Sequence, residues 1–375
     1  MTIESAPIRL GVIGCGGFGL YALQHFAQIE GIQLAGMAGT HREAAILAAR
    51  RFGLPDIEDV EVMVQRDDID LVYIATPPFL HHRQAMLALR AGRHVICEKP
   101  LAMTVEQADE MIALAGEKDR LLIANLMQRY NPLFDAVKRL VDEKPLGEVL
   151  HGYFENYAAD ENLPPGHWFW DAGKSGGIFI EHGVHFFDLF AGWLGNGSVV
   201  AAQRSLRPGS GIEEQVNCAC RYGDNGVLVN MYHGFTNPGR LDRQQLRLVF
   251  ERGEITLEEW VPVRARIHAI ADEADTRKLE EIFPGARLDA SYLYGPKERA
   301  CGSRHKEYEV SQMIDMVVGE GLPKYTRYGE LLRAMMRDQA AWIRDRSHQR
   351  KVTHENGRQS LAMAVEADHL ARGAS

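Results

Sequence analysis

Residues 8–19 read IRLGVIGCGGFG. A short apolar run typical of a β-strand leads directly into a GxGxxG set, and residues 17–30 continue with apolar residues at helical spacing. The glycine pattern alone is weak, but a strand before it and a helix after it are the setting in which it binds a dinucleotide. The stretch therefore predicts a nucleotide-binding βα unit, with a merely glycine-rich turn as the less favoured alternative.

The glycines of this set have separate physical roles. Gly14 permits the tight turn, Gly16 lets the backbone approach a pyrophosphate, and Gly19 lets helix and strand pack closely. The helix N-terminus then directs N–H groups and the positive end of its dipole at the phosphates. The residues of this loop expected to bind the cofactor are Gly14, Gly16, Gly17, Phe18 and Gly19.

Strand and helix patterns alternate over the first 125 residues. Strands that are apolar throughout suit a sheet covered on both faces, and their alternation with helices implies parallel βαβ units. We therefore expect residues 1–125 to form a doubly wound α/β domain of the Rossmann type. After the first strand at 8–14, strand patterns occur at 32–38, 70–75, 93–97 and 120–125, and helical patterns at 42–52, 80–91 and 104–116.

The rhythm changes after residue 126, where strands follow one another with few helices between them. Such a run indicates an antiparallel sheet, so residues 126–375 are expected to form a second domain. Strand patterns lie at 146–158, 198–206, 213–222, 226–235, 246–250 and 254–260, helical patterns at 181–194, 306–318, 328–347 and 355–372, and a weakly patterned stretch at 264–304.

Charge and composition argue against several classes of partner. A formal net charge of −9 provides no basic excess to replace the counterions of nucleic acid. The start of the chain, MTIESAPIRLGVIG, lacks the regions of a signal peptide, and no run of about 18 apolar residues predicts a membrane span. Five cysteines without a CxxC pair fit reduced thiols. We therefore expect a cytoplasmic protein with a small-molecule substrate and no nucleic-acid or membrane partner.

The end of the second strand bears on the choice between NAD and NADP. An Asp or Glu there would bind the ribose 2′-hydroxyl of NAD, but residues 38–43 read AGTHRE. The small Gly39, followed by Thr40, His41 and Arg42, better suits a 2′-phosphate, because Thr40 can donate a hydrogen bond and Arg42 can pair with the dianion. We therefore expect NADP to be preferred over NAD.

A lysine stands at the C-terminal end of another strand. The stretch HVICEKP, residues 94–100, places Lys99 at the edge where ligands bind in open α/β sheets. A lysine there can hydrogen-bond a reacting oxygen and stabilise negative charge on it. An ordinary surface lysine is the alternative.

Four motifs occur together, in an order that points to a family. They are GxGxxG at 14–19, ATPP at 75–78 with His81 downstream, AGRHVICEKPLA at 91–102 and GGIFIEHGVHFFD at 176–188. In this combination the chain closely resembles the glucose–fructose oxidoreductase / inositol dehydrogenase / MocA family. The resemblance covers most of the chain, least so residues 264–304 and the tail after 354.

The resemblance implies a fold, an activity and several site residues. It implies a Rossmann domain followed by an α/β domain with an open, mostly antiparallel sheet that often joins subunits, hence a homodimer or homotetramer. It implies an NAD(P)-dependent oxidoreductase for a hydroxyl or carbonyl group of a sugar, polyol or related compound. His185 corresponds to its catalytic histidine and Glu98-Lys99-Pro100 to its EKP motif. Expected cofactor contacts outside the glycine loop are Thr40, His41, Arg42, Thr76, Pro77, His81, Glu98, Lys99 and Gln128.

The stretch EHGVHFFD, residues 181–188, concentrates carboxylates and histidines. On an α-helix Glu181 and His185 share one face, whereas His182 falls on an apolar stripe where a packed histidine is the better interpretation. The histidines are three apart and no third ligand stands at an informative spacing, so we expect no metal. Asp188 is interpreted as structural.

Proton transfer is the favoured role for this stretch. His185 can accept or donate the hydroxyl proton near neutral pH, Lys99 can stabilise the alkoxide, and Glu181 can orient the imidazole or bind a second hydroxyl. Relatives commonly carry Asp at the position of Glu181. The catalytic residues are therefore expected to be Lys99, Glu181 and His185, and the substrate-binding residues Lys99, Arg129, Tyr157, Trp168, Glu181 and His185.

The aromatic run and the function also keep alternatives. The aromatic run at 167–170 suits either sugar stacking or, more often for such clusters, a core. A hydrolase or lyase that uses bound NAD for transient oxidation stays possible, as does a regulator that senses nicotinamide without turnover. The pair of Lys99 and His185 argues against the regulator.

Overall fold

The computed structural model describes residues 6–39, 42–54, 59–159, 163–303, 305–319 and 322–373. These residues form two compact units, each built from several segments of the chain. Unit 1 draws on Met1–Tyr130, Pro164–Asp188 and Gly329–His369, and unit 2 on Asn131–Leu163, Leu189–Tyr328 and Leu370–Ser375. A single domain boundary at residue 125 stays a prediction.

The helices of the described residues are mostly one to three turns long, with two long ones near the C-terminus. They are α1 Gly17–Phe26, α2 Arg42–Arg51, α3 Val60–Gln65, α4 His81–Arg90, α5 Val105–Glu117, α6 Pro132–Glu143, α7 Ala172–Ser175, α8 Val184–Leu194, α9 Glu273–Ile282, α10 Lys324–Arg344 and α11 His354–Gly373. None of the helices in these residues is long and apolar enough to cross a membrane.

Unit 1 contains a five-stranded parallel sheet. Its strands are β1 Ile8–Ile13, β2 Ile32–Ala38, β3 Leu71–Ile74, β4 His94–Cys97 and β5 Leu122–Ala124, in the spatial order β2-β1-β3-β4-β5. All four residues of β3 and all four of β4 are buried, as expected for strands with helices on both faces. The chain order reverses between β1 and β3, so their carboxyl ends form the crevice in which ligands of such sheets bind.

Unit 2 contains a nine-stranded sheet. Its strands are β6 Val149–Tyr157, β7 Gly197–Leu206, β8 Glu213–Tyr222, β9 Val227–Gly234, β10 Arg243–Phe250, β11 Gly253–Glu258, β12 Arg264–Ala271, β13 Arg287–Leu293 and β16 Gln312–Val318, with a separate ribbon of β14 Ala300–Gly302 and β15 Glu307–Glu309. All neighbours pair antiparallel except β6 and β9. The prediction of a Rossmann sheet followed by a mostly antiparallel sheet is confirmed.

The helix predicted at residues 306–318 is wrong, because this segment forms β15 and β16. In β16 the buried Ile314 and Met316 alternate with partly exposed neighbours, which is the period of a strand. The strand lies between β12 and β13 and pairs with both. The weakly patterned stretch at 264–304 holds β12, α9, β13 and β14.

Candidate active site

The glycine loop packs closely against other backbone atoms at Gly14 and Gly19 and is open at Gly16 and Gly17. Gly14 has φ +108°, donates its N–H to the carbonyl of Ala38 at 2.8 Å, and would bring a Cβ within 2.4 Å of the carbonyl oxygen of Ala75. A Cβ on Gly19 would lie 2.4 Å from the carbonyl oxygen of Gly14, so only glycine allows this approach of α1. Around Gly16 and Gly17 a Cβ would meet nothing within 4 Å. An open backbone at the start of α1 fits a pyrophosphate.

The other contacts expected for the adenosine end cannot all be placed. Thr40 and His41 lie outside the described residues, and the side chain of Arg42 does too, although α2 begins there. Their contacts with a 2′-phosphate therefore stay predictions. Gly39, which directly follows β2, is described and half-buried.

His81 ties two loops of unit 1 together. Its ring is fully buried, with Nδ1 2.7 Å from the carbonyl oxygen of Pro100 and Nε2 2.8 Å from that of Thr76. Both ring nitrogens thus face backbone carbonyls, and the predicted contact of His81 with a cofactor stays a prediction. Thr76 and Pro77 stay candidates because both are only half-buried, with the Thr76 hydroxyl donating to Gln84 at 2.6 Å.

Glu98 is also bound by protein groups. Its carboxylate accepts hydrogen bonds from the Tyr73 hydroxyl and from the Asn125 amide at 2.7 Å. Burial raises the pKa of Glu98, although the hydrogen bonds from Asn125 and Tyr73 oppose the rise. Its side chain therefore fixes the end of β4 beside Lys99, and the predicted contact with a cofactor stays a prediction.

Lys99 and Glu181 form the central ion pair of the site. The Lys99 ammonium donates to the Glu181 carboxylate at 2.5 Å and to the Glu181 backbone carbonyl at 2.9 Å. The side chains are 16% and 9% exposed, so the pair is shielded but reachable. Burial tends to raise the pKa of Glu181, but the charges of Lys99 and then His182 outweigh it and hold that pKa well below its usual range.

A π-helical turn alters the geometry expected around Glu181. Residues Phe179–Gly183 form this turn, and α8 begins only at Val184. The angles of a continuous α-helix over 181–194 therefore do not hold at its start, and the prediction that His182 stays apart from Glu181 is wrong. His182 packs edge-on against Phe169 at 5.3 Å, and its Nδ1 contacts the second carboxylate oxygen of Glu181. Such turns often occur at functional sites.

His185 lies buried in the first turn of α8 and is 3% exposed. Burial lowers the pKa of His185 well below its usual value, Lys99 lowers it further, and Glu181 acts in the opposite direction. The imidazole is therefore neutral near pH 7 and able to accept a proton.

Arg129 and Asp188 form a second buried pair. The guanidinium donates to both carboxylate oxygens of Asp188 at 2.8 Å and to its backbone carbonyl at 2.9 Å. A bidentate pair of this kind fixes both side chains. A substrate contact of Arg129 therefore stays a prediction, as does the cofactor contact of Gln128, which is 2% exposed.

The aromatic candidates have different surroundings. Trp168 begins a 3₁₀ turn, Trp168–Trp170, in which no residue is buried, so the alternative of a core cluster is wrong. Tyr157 is in unit 2, on the face of β6 opposite the buried Asn156, where the Arg243 guanidinium lies 4.7 Å from its ring centre. A substrate role for Tyr157 stays a prediction.

Sequence reasoning missed the contribution of His182. The apolar stripe that suggested plain packing assumes 3.6 residues per turn, and no residue in this stretch distinguishes a π turn from an α turn. Gly176 and Gly177, with φ of +89° and +87°, mark an irregular entry into this segment and were the available signal.

The fold and the glycine loop define the class, a Rossmann protein of the dinucleotide-binding type. A family model described as "Oxidoreductase family, NAD-binding Rossmann fold" matches residues 8–126, and the GFO/IDH/MocA C-terminal domain matches residues 134–256. The chain belongs to the Gfo/Idh/MocA family of oxidoreductases.

Curated relatives and solved structures agree with this family. The chain is 33% identical to a dTDP-3,4-didehydro-2,6-dideoxy-α-D-glucose 3-reductase of Actinomadura kijaniata, over 48% of this chain and 54% of that one. It is 30% identical to a 1,5-anhydro-D-fructose reductase of Ensifer adhaerens, over 61% and 69%. The structure of a levoglucosan dehydrogenase with NADH and L-sorbose matches with TM-score 0.76 and 22% identity, over 99% and 98%. The chain thus spans little more than half the length of the first relative.

Proposed function

We propose that this protein is an NADP-preferring oxidoreductase that interconverts a hydroxyl and a carbonyl group on a sugar, polyol or related compound. The observation that carries the proposal is the shielded pair of Lys99 and Glu181, with the neutral imidazole of His185 within electrostatic range of both. Hydride leaves a carbinol carbon only if the hydroxyl proton also leaves, and these residues supply a base and a cation for that oxygen.

The glycine loop fits a dinucleotide, and the bound nicotinamide would supply or accept the hydride. Gly16 and Gly17 would hold the pyrophosphate at the open start of α1. Thr40 and Arg42 would bind the 2′-phosphate, and Thr76 and Pro77 would line the crevice beyond β3. The levoglucosan dehydrogenase structure contains NADH and so gives no support for NADP. The proposed preference for NADP therefore rests on this chain's own residues.

Each catalytic residue has a separate task. Lys99 hydrogen-bonds the reacting oxygen and stabilises the charge that develops on it. Glu181 holds the Lys99 ammonium through its carboxylate and its backbone carbonyl. His185 accepts the hydroxyl proton in oxidation and returns it in reduction.

Sugar-like substrates have two supports. The relatives named above are reductases of a deoxysugar nucleotide and of an anhydrosugar. Trp168 in the same unit offers a half-buried aromatic ring, a surface on which sugar rings stack.

A panel of sugars and polyols tests the proposal. Each compound is offered with NADP⁺ or NAD⁺, and nicotinamide reduction is followed by absorbance. We expect turnover on at least one compound, with a higher kcat/KM for NADP⁺. Equal or better use of NAD⁺ would refute the cofactor preference. Cofactor that stays bound through purification and never exchanges would favour the transient-oxidation alternative.

Replacement of Lys99 tests its role in stabilising charge on the reacting oxygen. Lys99→Met should lower kcat about 10²–10³-fold, as removal of one oxyanion donor does. Lys118→Met is the matched control, because Lys118 follows α5 in the same unit and pairs only with its neighbour Glu117 among the described ion pairs. If Lys99→Met lost less than tenfold on a substrate that the wild type turns over, the assigned role would be wrong.

We also propose that the protein assembles as a homodimer or homotetramer through the nine-stranded sheet. Its open face exposes Tyr153, Val200 and Leu228, which are 37%, 52% and 43% exposed. Apolar side chains grouped on one sheet face favour a covering partner.

A further inference from the structure

The residue directly after β2 usually decides whether a Rossmann fold binds NAD, whose adenosine ribose has a free 2′-hydroxyl, or NADP, whose adenosine ribose carries a 2′-phosphate. An acidic side chain there binds the 2′-hydroxyl of NAD and repels a 2′-phosphate. In this chain the position is Gly39. Its φ is not among the positive values of the described glycines, so the backbone itself would accept a side chain.

The space beside Gly39 is already filled. A Cβ at this position would lie 2.8 Å from the Cys15 sulfur, 3.4 Å from the Cys15 Cβ and 3.6 Å from the Cys15 amide nitrogen. The first of these distances is shorter than a carbon and a sulfur atom tolerate. The backbone conformation would accept a side chain at residue 39, but the Cys15 sulfur would have to move to make room for it.

Cys15 is buried and makes a contact of its own that it would lose by moving aside. It is the second residue of the GxGxxG set, is 7% exposed, and its sulfur lies 3.6 Å from the carbonyl oxygen of Ala38. The hydrogen bond from Gly14 to the same carbonyl at 2.8 Å holds the glycine loop against the end of β2. The backbones on both sides of the contact are thus held together, so rotation of the Cys15 side chain is the movement that would relieve it.

We propose that Cys15 is a specificity-determining residue, whose sulfur occupies the volume where an acidic side chain at position 39 would begin. The chain then offers no carboxylate to the ribose hydroxyls and leaves that region to a 2′-phosphate. The inference rests on the proposed preference for NADP and assigns part of it to a residue of the glycine loop.

A double-mutant cycle tests the proposal. Gly39→Asp, Cys15→Ala and the double variant are compared with wild type for the Kd of NADH and NADPH, measured from quenching of tryptophan fluorescence, and for Tm. We expect Gly39→Asp alone to lower Tm and to gain little affinity for NADH. The double variant should recover Tm and bind NADH about tenfold more tightly than Gly39→Asp, a coupling typical of residues in contact. Cys301→Ala combined with Gly39→Asp is the control and should behave as Gly39→Asp does.

Two results would overturn the proposal. One is a Gly39→Asp variant that binds NADH as tightly as the double variant, because Cys15 would then exclude nothing. The other is a folded double variant without a gain for NADH. If the Asp variants do not fold, Gly39→Ala and Cys15→Ala/Gly39→Ala give the same steric test through Tm alone. A wild type that binds NADH more tightly than NADPH would refute the cofactor preference but leave this coupling measurable.

Discussion

The side chain of Glu181 uses both of its carboxylate oxygens. One accepts the hydrogen bond from Lys99 at 2.5 Å and the other contacts His182. The π turn Phe179–Gly183 carries this side chain. The irregular backbone of this turn brings the carboxylate within reach of both the lysine and the imidazole.

Loss of this carboxylate leaves a buried cation. Glu181→Gln keeps the volume but removes the charge, so we expect the free energy of unfolding to fall by about 3 kcal/mol, the low end for a buried pair that loses one partner. Urea denaturation measures the change. Glu110→Gln, at an exposed residue of α5 paired with His82, should stay within about 0.5 kcal/mol. Equal effects of the two variants would show that the pair does not stabilise the unit.

The lowered pKa of His185 predicts a flat pH profile for oxidation. A base works only when neutral, and burial together with Lys99 extends the neutral range of His185 to pH values below that of an ordinary histidine. The kcat/KM for oxidation should therefore change less than about threefold between pH 8 and pH 5.5, a range over which a base with the usual histidine pKa of about 6.5 would lose about tenfold. A rate already halved at pH 7 by protonation of His185 would contradict this assignment.

At the scale of elements, the segment before α8 positions the histidine and glutamate. Gly176 ends α7 with φ +89°, and a Cβ there would lie 2.6 Å from Cγ2 of Ile180 in the π turn. A non-glycine residue would be strained and would press on the turn that carries Glu181.

Gly176→Ala tests this arrangement. We expect a loss of about 1–3 kcal/mol in the free energy of unfolding, together with a lower kcat, because the left-handed backbone and the contact with Ile180 both oppose a side chain. The control is Gly166→Ala, where a Cβ meets nothing within 4 Å and φ is not positive. Unchanged stability and kcat in Gly176→Ala would show that the conformation of Gly176 does not help to position Glu181.

The sequence predicts elements best where local pattern and environment agree. The apolar run before Gly14 has the pattern of a buried strand, and the glycine set that follows it is a local signal that does not depend on distant parts of the chain. The helix prediction for residues 306–318 was wrong because β16 is defined by its pairing with β12 and β13, which local periodicity does not reveal. The prediction for His182 was wrong for a related reason. The π turn depends on how its neighbours pack, and Gly176 and Gly177 before it give only an indirect signal.

At the scale of the whole molecule, the open face of the nine-stranded sheet predicts assembly. Leu228→Glu places a charge on the open face of the sheet, where Leu228 of β9 is 43% exposed, and should shift the protein toward monomer. Light scattering after size-exclusion chromatography at fixed concentration measures the mass. Leu47→Glu, at a residue of α2 that is 68% exposed in unit 1, should leave the mass unchanged. A wild type that is monomeric at high concentration would contradict the proposed interface.

The most direct test of the central claim is the turnover of His185→Ala. On the best substrate of the panel we expect kcat/KM to fall about 10²–10⁴-fold, the contribution of a general base, while the Kd for NADPH changes less than about threefold. His82→Ala, a histidine of α4 that pairs with Glu110, should keep wild-type turnover. A loss of less than tenfold in His185→Ala, with cofactor binding intact, would show that another group transfers the proton.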